Sequence, residues 1–477
     1  MTNTKYDAVV VGSGPNGLSA AIVLRQAGLS VLLIEGKPTI GGGLRSASLT
    51  LPGYIHDVCS AIHPFAVFSP LFNSLPLQKH GLEFLYSPLA LAHPFDDGSA
   101  AELEHDIHQT AMSLGADTRS YEHLMQNTMK NWPAVSNSIA HPFAFPKHLI
   151  PLARFGSKGI FSARRLIERN FKGMQARGML AGVAAHGVQP LTNWITGAIT
   201  LIFLCLGHDK GWPFPKGGSQ QLANALASYF LSLGGRIETD WMVESLDELP
   251  NASAYLLDIT PKQLLKIGGS RLSAWNRRQM KNFKYGSGVF KVDWALDGPI
   301  PFKSDACKKA ATVHLGNSFE EIMKCEQEVS LGKIPEYPFV LLAQQSLFDP
   351  TRAPQDRQVA WAYCHVPANS GVDMTERIEK QVERFAPGFR DRILSKHVFD
   401  AVEMESYNPN YVGGDIGGGI QNWKQLITRP ALRFPPYRTS AQGVYLCSSS
   451  TPPGGGVHGL CGFNAAKQAL KDIFGQR

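Results

Sequence analysis

Apolar and polar positions along this chain alternate between two periods, and each change of period marks an element. Asp7-Ala-Val-Val-Val is an apolar run of strand length that ends at Gly12. From Leu18 onward the apolar positions take helical spacing, and a second apolar run closes at Ile34-Glu35. Gln221 to Leu233 reads as a helix, the Gly234-Gly235 turn leads into strand pairs up to Val243, and Ala254 to Thr260 reads as a buried strand stopped at Pro261. Tyr285 to Trp294 reads as a strand that carries Gly288 and Lys291. From Gly443 the pattern is strand, glycine-rich loop, then a helix opening near Val457 and running to the terminus. The longest apolar run, Trp194 to Gly207, is too short to span a bilayer and reads as buried or interfacial.

The first strand-to-helix transition carries Gly12-Ser13-Gly14-Pro15-Asn16-Gly17. Gly12 permits the tight turn, Gly14 lets backbone approach a pyrophosphate, and Gly17 lets helix and strand pack closely. The helix N-terminus faces the phosphate charge, and Glu35 stands where an acid accepts hydrogen bonds from a ribose 2′-hydroxyl. Strand, glycines, helix and acid in register predict dinucleotide binding. Gly41-Gly42-Gly43-Leu44-Arg45 follows as a second glycine loop with a cation, placed to pass beneath the same pyrophosphate.

Length and composition fit an ordinary globular protein of two or three domains: 477 residues, 44% hydrophobic and 18% charged. The strand that begins within a few residues of Met1 leaves no room for a signal or transit peptide, so a cytoplasmic protein is expected. Seven scattered cysteines without a Cys-x-x-Cys pair argue against a disulfide framework, a metal site and a dithiol centre. The net charge of +7 is concentrated: Lys147 to Arg177 holds eight Lys/Arg and one acid, Glu168. Within it Ile160, Ala163, Ile167 and Phe171 follow helical spacing beside Arg164, Arg165, Arg169 and Lys172. That pattern predicts a short amphipathic helix lying on an anionic membrane surface. No nucleic-acid partner is expected, and oligomeric state is not legible.

The order of elements predicts a cofactor domain in three pieces, residues 1–75, 215–265 and 436–477, with a second domain inserted as 76–214 and 266–435. At this point four blocks resemble a known family: Val11 to Gly17, the Gly41 to Arg45 loop, Pro215-Lys-Gly-Gly-Ser219, and Ser448-Ser-Ser-Thr-Pro-Pro-Gly-Gly-Gly-Val-His-Gly459. They are similar to the phytoene desaturase-related flavoproteins of the amine-oxidase-like superfamily. The resemblance spans the chain and looks closest to members without a settled substrate. It implies an α/β fold: an FAD-binding Rossmann domain of glutathione-reductase type with an inserted substrate domain of mixed sheet and helices. It departs from the carotenoid desaturases in the terminal loop, where Ser448-Ser449-Ser450 and Pro452 stand, which puts phytoene itself in doubt.

FAD is expected over NAD because the terminal loop opens a second helix whose N-terminus can stabilise charge on the flavin ring. The expected cofactor contacts are Gly12, Ser13, Gly14, Pro15, Asn16, Gly17, Glu35, Gly42, Gly43, Arg45, Val243, Ser449, Gly455, Gly456 and Val457. Lys291, in Gly288-x-x-Lys291, resembles the lysine that holds a water against flavin N5 in amine oxidases; the alternative is a surface lysine on a half-buried strand. Asp415, among Gly413, Gly414 and Gly417 to Gly419, and His458 beside the flavin-proximal loop are the other catalytic candidates. His56-Asp57 and His63 are candidate pocket residues, whereas Tyr54 and His186 read as structural. Three functions compete: an FAD-dependent oxidoreductase that takes hydride from an apolar, polyene- or lipid-like substrate, an amine oxidase, and a flavin-stabilised scaffold without turnover.

Overall fold

The computed structural model describes residues 5–142, 145 and 148–476, which form two large sheets, two two-stranded ones and the helices packed on them. The first sheet is five-stranded and wholly parallel, in the order Val444–Leu446, Ala252–Leu257, Tyr6–Val11, Val31–Ile34, Arg236–Glu238. Parallel strands need crossovers, and the crossovers cover both faces, so the strands read as unbroken apolar runs. Ala8 and Val10 pack with helices Pro15–Gln26, Gln220–Ser232 and Leu460–Ile473, through residues such as Leu24, Leu226 and Ala466. Val9 and Val11 face the opposite layer, where Leu264, Ile267, Leu272 and Met280 cover them.

Three expectations shift here. The strand pairs expected after Gly234 reduce to the single edge strand Arg236–Glu238. The chain then turns off at Asp240 with a left-handed φ of 57°, and Trp241 donates its amide to the Glu35 carbonyl. The layer over Val9 extends the nucleotide-binding core beyond residue 265, because helices Pro261–Gly268 and Ala274–Lys281 bury their apolar faces against this sheet. The terminal helix begins at Leu460 rather than near Val457, capped by Gly459 in the left-handed region.

The second sheet is seven-stranded and mixed. Its order is Ile393–Phe399, Gly288–Leu296, Gln358–Val366, Val340–Ala343, Thr312–Leu315, Leu91–Pro94, Ala100–Leu103. Only the Thr312–Leu315 pairing with Leu91–Pro94 is parallel. Helix Thr375–Phe385 packs on one face. Helices Thr118–Ala140, Met174–Ala185 and Thr196–Asp209 build a core on the other.

The basic stretch does not form the free amphipathic helix expected of it. It is split into helices Leu149–Gly159 and Ala163–Asn170, and Lys147 lies outside the described residues. Ala163, Ile167 and Phe171 are buried in the helical core; only Ile160 of the four is exposed. Burying that face against neighbouring helices removes more apolar surface from water than an interfacial position would. Among the described residues no helix is long and apolar enough to cross a membrane.

Candidate active site

A cleft of about 800 Å³ lies between the two large sheets, lined at one end by the glycine loops and at the other by aromatic side chains. The first strand delivers Gly12 at φ +95°, and the helix N-terminus at Gly14–Pro15 opens onto the cleft. A Cβ on Gly17 would stand 1.9 Å from the Gly12 carbonyl oxygen, so strand and helix meet here without side chains. The second loop crosses the first: a Cβ on Gly42 would lie 3.0 Å from the Gly14 Cα. Close approach of two bare backbones leaves amide groups, rather than side chains, to receive a diphosphate.

Around this cradle the polar groups interlock. The Glu35 carboxylate accepts from the Ser13 hydroxyl and amide (the amide at 3.1 Å), the Lys37 amide at 3.0 Å, and Arg45 Nη2 at 2.9 Å. Arg45 also donates to the Thr39 carbonyl and is nearly buried, so its charge is fixed against Glu35 at the cleft wall. Gly43 and Val243 line the same end, and the buried Asn16 Oδ1 has no partner among the described residues. Asp258 closes the cradle from behind. It accepts the Gly17 amide at 2.9 Å, and burial, aided by the Glu35 charge and opposed by that amide, pushes its carboxyl up to about 7. The raised value lessens the negative charge that a diphosphate meets here. Glycine crossing, helix terminus and an acidic residue at the second strand's end fit the adenosine diphosphate half of a dinucleotide.

At the far end the strand Val444–Leu446 feeds a loop that lines the cleft with Ser449, Gly455, Gly456, Val457 and His458. Ser448 and Ser450 donate their hydroxyls to the Ile259 and Gly418 carbonyls, 2.7 and 2.8 Å, which ties this loop to the glycine-rich segment after Asp415. Asp415 lines the cleft but is already engaged. Its carboxylate accepts the amides of Gly286 (2.7 Å), Gly417 (2.7 Å) and Gly419 (3.0 Å), which shapes that loop. His458 accepts the Leu460 amide at Nδ1, 3.0 Å, so its proton sits on Nε2; burial pushes its pKa down to about 4 and the ring is neutral.

Lys291 is buried, not on the surface. Its ammonium is paired with Asp293 and lies 5.4 Å from the centroid of the Trp361 ring, and it is Trp361 that faces the cleft. Burial raises Asp293 to about 6 even though the lysine charge opposes it. Trp361 and Tyr363 stack, 5.5 Å apart at 18°, as one wall of the cleft. Phe203 and Trp212 form another, with His186 against both.

His56-Asp57 lies toward the Trp361 wall, with His56 Nδ1 3.6 Å from Oδ1 of Asp293, the residue paired with Trp361 across the strands. Asp57 accepts Ser46 Oγ (2.7 Å), the Ser219 amide (2.8 Å), Gln345 Nε2 (3.0 Å) and Arg352 Nη2 (2.8 Å), and so ties its own strand pair to the distant segments at 219 and 345–352. Its buried partner Arg352 carried no sequence signal, because its local context, Pro-Thr-Arg, is that of any surface turn. His63 lines the cleft and bonds Ser219 Oγ at 2.8 Å, whereas Tyr54 is buried in a small apolar cluster.

Known proteins share this architecture. Residues 10–75 match the family model described as an NAD(P)-binding Rossmann-like domain. The rat pyridine nucleotide-disulfide oxidoreductase domain-containing protein 2 is 23% identical over 98% of this chain and 94% of its own length. The 4,4'-diapophytoene desaturase of a Methylomonas species is 24% identical, over 96% of this chain and 93% of its own. Among solved structures, an oxidoreductase from Methanosarcina mazei superposes with a TM-score of 0.65 at 15% identity, covering 98% of this chain and all of that one. Putrescine oxidase bound to putrescine superposes with a TM-score of 0.63 at 17% identity, covering 99% and 100%. The fold is that of the amine-oxidase-type flavoenzymes.

Proposed function

From the premise that this chain is an FAD-dependent oxidoreductase related to the phytoene desaturases, we propose that it dehydrogenates an apolar, polyene- or lipid-like substrate. Bound FAD supplies the hydride acceptor at its N5 position. The glycine cradle would hold its adenosine diphosphate with Glu35 at the ribose, and Ser449, Gly455 and Gly456, which line the cleft, would contact the rest of the group. The observation that carries the reading is the division of the cleft. Charged side chains line the cradle end, whereas Phe65, Ile202, Phe203, Trp212, Leu341 and Trp361 line the other. Such a wall excludes water and holds an extended hydrocarbon by area alone.

Amine oxidation is the second reading, favoured by the stacked Trp361–Tyr363 pair, because aromatic faces attract cations. Against it, Lys291 already lies over the ring of Trp361, and among the described residues the carboxylates that line the cleft, Glu35, Asp258 and Asp415, each accept backbone amides of the glycine loops or the segments beside them. Anaerobic mixing of the yellow holoenzyme with 4,4'-diapophytoene or limonene in micelles, and with putrescine, separates the readings. Bleaching of the flavin by a hydrocarbon is expected; bleaching by putrescine alone replaces desaturation with amine oxidation.

The substrate reaches the cleft from an anionic membrane surface. Leu426 and Ile195 line the cleft; Ile427 and Trp194 next to them in the chain are exposed, as is Ile160, whose carbonyl accepts the Ile195 amide. Lys424 and Arg433 are exposed in the segment 416–440, which contains no acid. Flotation with phosphatidylglycerol vesicles at low salt, lost at high salt and with neutral lipid, is the expected result. Equal recovery with both lipids overturns the contact.

A further inference from the structure

His186 offers a free nitrogen at the apolar end of the cleft. It lines the cleft and is framed by the rings of Phe203, His314 and Trp212, whose centroids lie 4.7, 4.9 and 5.5 Å from its own. Its Nε2 is engaged, 2.9 Å from Nε2 of His314. Its Nδ1 has no partner among the described residues and, unlike Nδ1 of His314 and Nδ1 of His93, keeps accessible surface. Those two rings are fully buried and do not line the cleft; His93 lies behind His314, with its Nε2 2.7 Å from the Asn317 carbonyl oxygen. Trp212 Nε1, beside His186, already donates to the Phe203 carbonyl at 3.4 Å. One open polar atom within an aromatic wall is the arrangement by which apolar pockets fix the orientation of what they bind.

The chemistry of this nitrogen selects a neutral oxygen. Burial, with His365 adding to it, pushes His186 down to about 3, so the ring supplies no positive charge. Among the described residues the cations that line the cleft are Lys37, Arg45 and Lys266, all in the nucleotide-binding half. Lys37 and Arg45 both donate to Glu35, and Lys266 stands on the helix Pro261–Gly268 over the parallel sheet. A carboxylate at the apolar end would therefore lie unpaired. The hydrogen between the two Nε2 atoms belongs to one ring or the other. Where His186 donates it, Nδ1 is a bare acceptor; where His314 donates it, Nδ1 carries the hydrogen and is a donor. A hydroxyl satisfies Nδ1 in both arrangements, and a carbonyl satisfies it in the second.

We propose that His186 Nδ1 is the subsite for a neutral oxygen of the substrate, so that this cleft prefers an apolar chain bearing a hydroxyl or carbonyl group over the bare hydrocarbon and over the carboxylate. The proposal rests on the apolar-substrate reading above and names the class within it. A hydrocarbon is still held by the area of the wall, but it strips water from Nδ1 and gives no hydrogen bond in return.

Four probes that share one skeleton test it: farnesol, farnesal, farnesoate and β-farnesene, titrated into the FAD-loaded protein and read by quenching of tryptophan fluorescence. Farnesol and farnesal should bind roughly 10- to 100-fold more tightly than β-farnesene and farnesoate. His186→Phe, which keeps a ring in place and deletes the nitrogen, should bring farnesol to the affinity of β-farnesene. In the parent protein labelled with 15N-histidine, the Nδ1 signal of His186 should move on adding farnesol and stay still on adding β-farnesene, and this decides even if the variant fails to fold. Equal affinity for farnesol and β-farnesene, or an unmoved Nδ1 signal, overturns the subsite and leaves the apolar-substrate reading standing. A preference for farnesol that survives in His186→Phe likewise overturns the role of His186, and farnesoate as the tightest ligand overturns its neutral character. Binding of none of the four overturns the apolar-substrate reading and the subsite with it.

Discussion

The two ends of the cleft are built by opposite means. At the cradle end, recognition comes from backbone: Gly12, Gly14, Gly17 and Gly42 bring main chains into contact, and the few side chains present, Glu35 and Arg45, brace one another. At the far end it comes from side chains on rigid strands and helices: Trp361 and Tyr363 on one strand, His186 just beyond a helix, and Lys291 behind the wall. A backbone site tolerates almost no added atom, since the main chain cannot step aside. A side-chain site tolerates changes of shape, but it depends on buried charges staying paired. The cradle should therefore fail sterically, and the far end electrostatically.

Gly17→Val tests the steric half most severely. Its Cβ would overlap the Gly12 carbonyl, so helix Pro15–Gln26 must leave the strand, and the variant should accumulate insoluble and without flavin. A soluble yellow Gly17→Val protein would show that the cradle does yield.

Lys291→Met tests the electrostatic half. It keeps the length of the side chain but leaves Asp293 buried without its counter-ion, a loss of about 3–5 kcal/mol. The sign with pH follows from Asp293, whose folded pKa, about 6, already lies above its unfolded value. The folded state holds the proton more tightly, so stability falls as pH rises through that window. The Lys291→Met deficit in thermal melts should therefore be small near pH 5 and grow above pH 6, and adding Asp293→Asn should recover most of it. A deficit independent of pH would assign Lys291 to packing rather than charge.

Glu35→Ala probes a side chain within the backbone site. It removes the acceptor that fixes Ser13 and Arg45, and with it hydrogen bonds to a charged group of about 1.5–3 kcal/mol. FAD affinity by titration should fall at least about tenfold while the apoprotein stays folded. Undiminished affinity would leave recognition to the glycines alone.

Asp258→Asn tests the carboxyl behind the cradle through its pH dependence. The carboxyl is raised to about 7, so the parent apoprotein should lose stability as pH rises from about 4 to about 7, by at most about 1.4 kcal/mol per pH unit. Solvent in the open cleft reduces that figure. The Asn variant should show a flatter profile, and identical profiles would remove Asp258 from the account.

Legibility in the sequence follows the same division. The cradle was readable because its requirements are local: a strand, three glycines and an acid at fixed spacing have few other uses. The terminal Ser448–Gly459 block was recognisable by its resemblance to a family, and its helix begins three residues later than its pattern suggested. Lys291 stands out within its strand, yet its burial and its pairing with Asp293 two residues on depend on both neighbouring strands. Ile160, Ala163, Ile167 and Phe171 had the spacing of an amphipathic face, but spacing does not say whether lipid or protein covers it. The core built by helices Met174–Ala185 and Thr196–Asp209 covers three of the four.

What the sequence determined by itself is the nucleotide-binding half, because contacts within a strand–turn–helix unit are fixed by residues close in the chain. What only the tertiary structure decided is the far end. His93, His186 and His314 come from three elements more than 200 residues apart at the extremes, and Asp57 meets Arg352 across nearly 300. Each carries an ordinary local context. Their chemistry arises when burial removes water and leaves each nitrogen and oxygen only the partners that the fold brings to it.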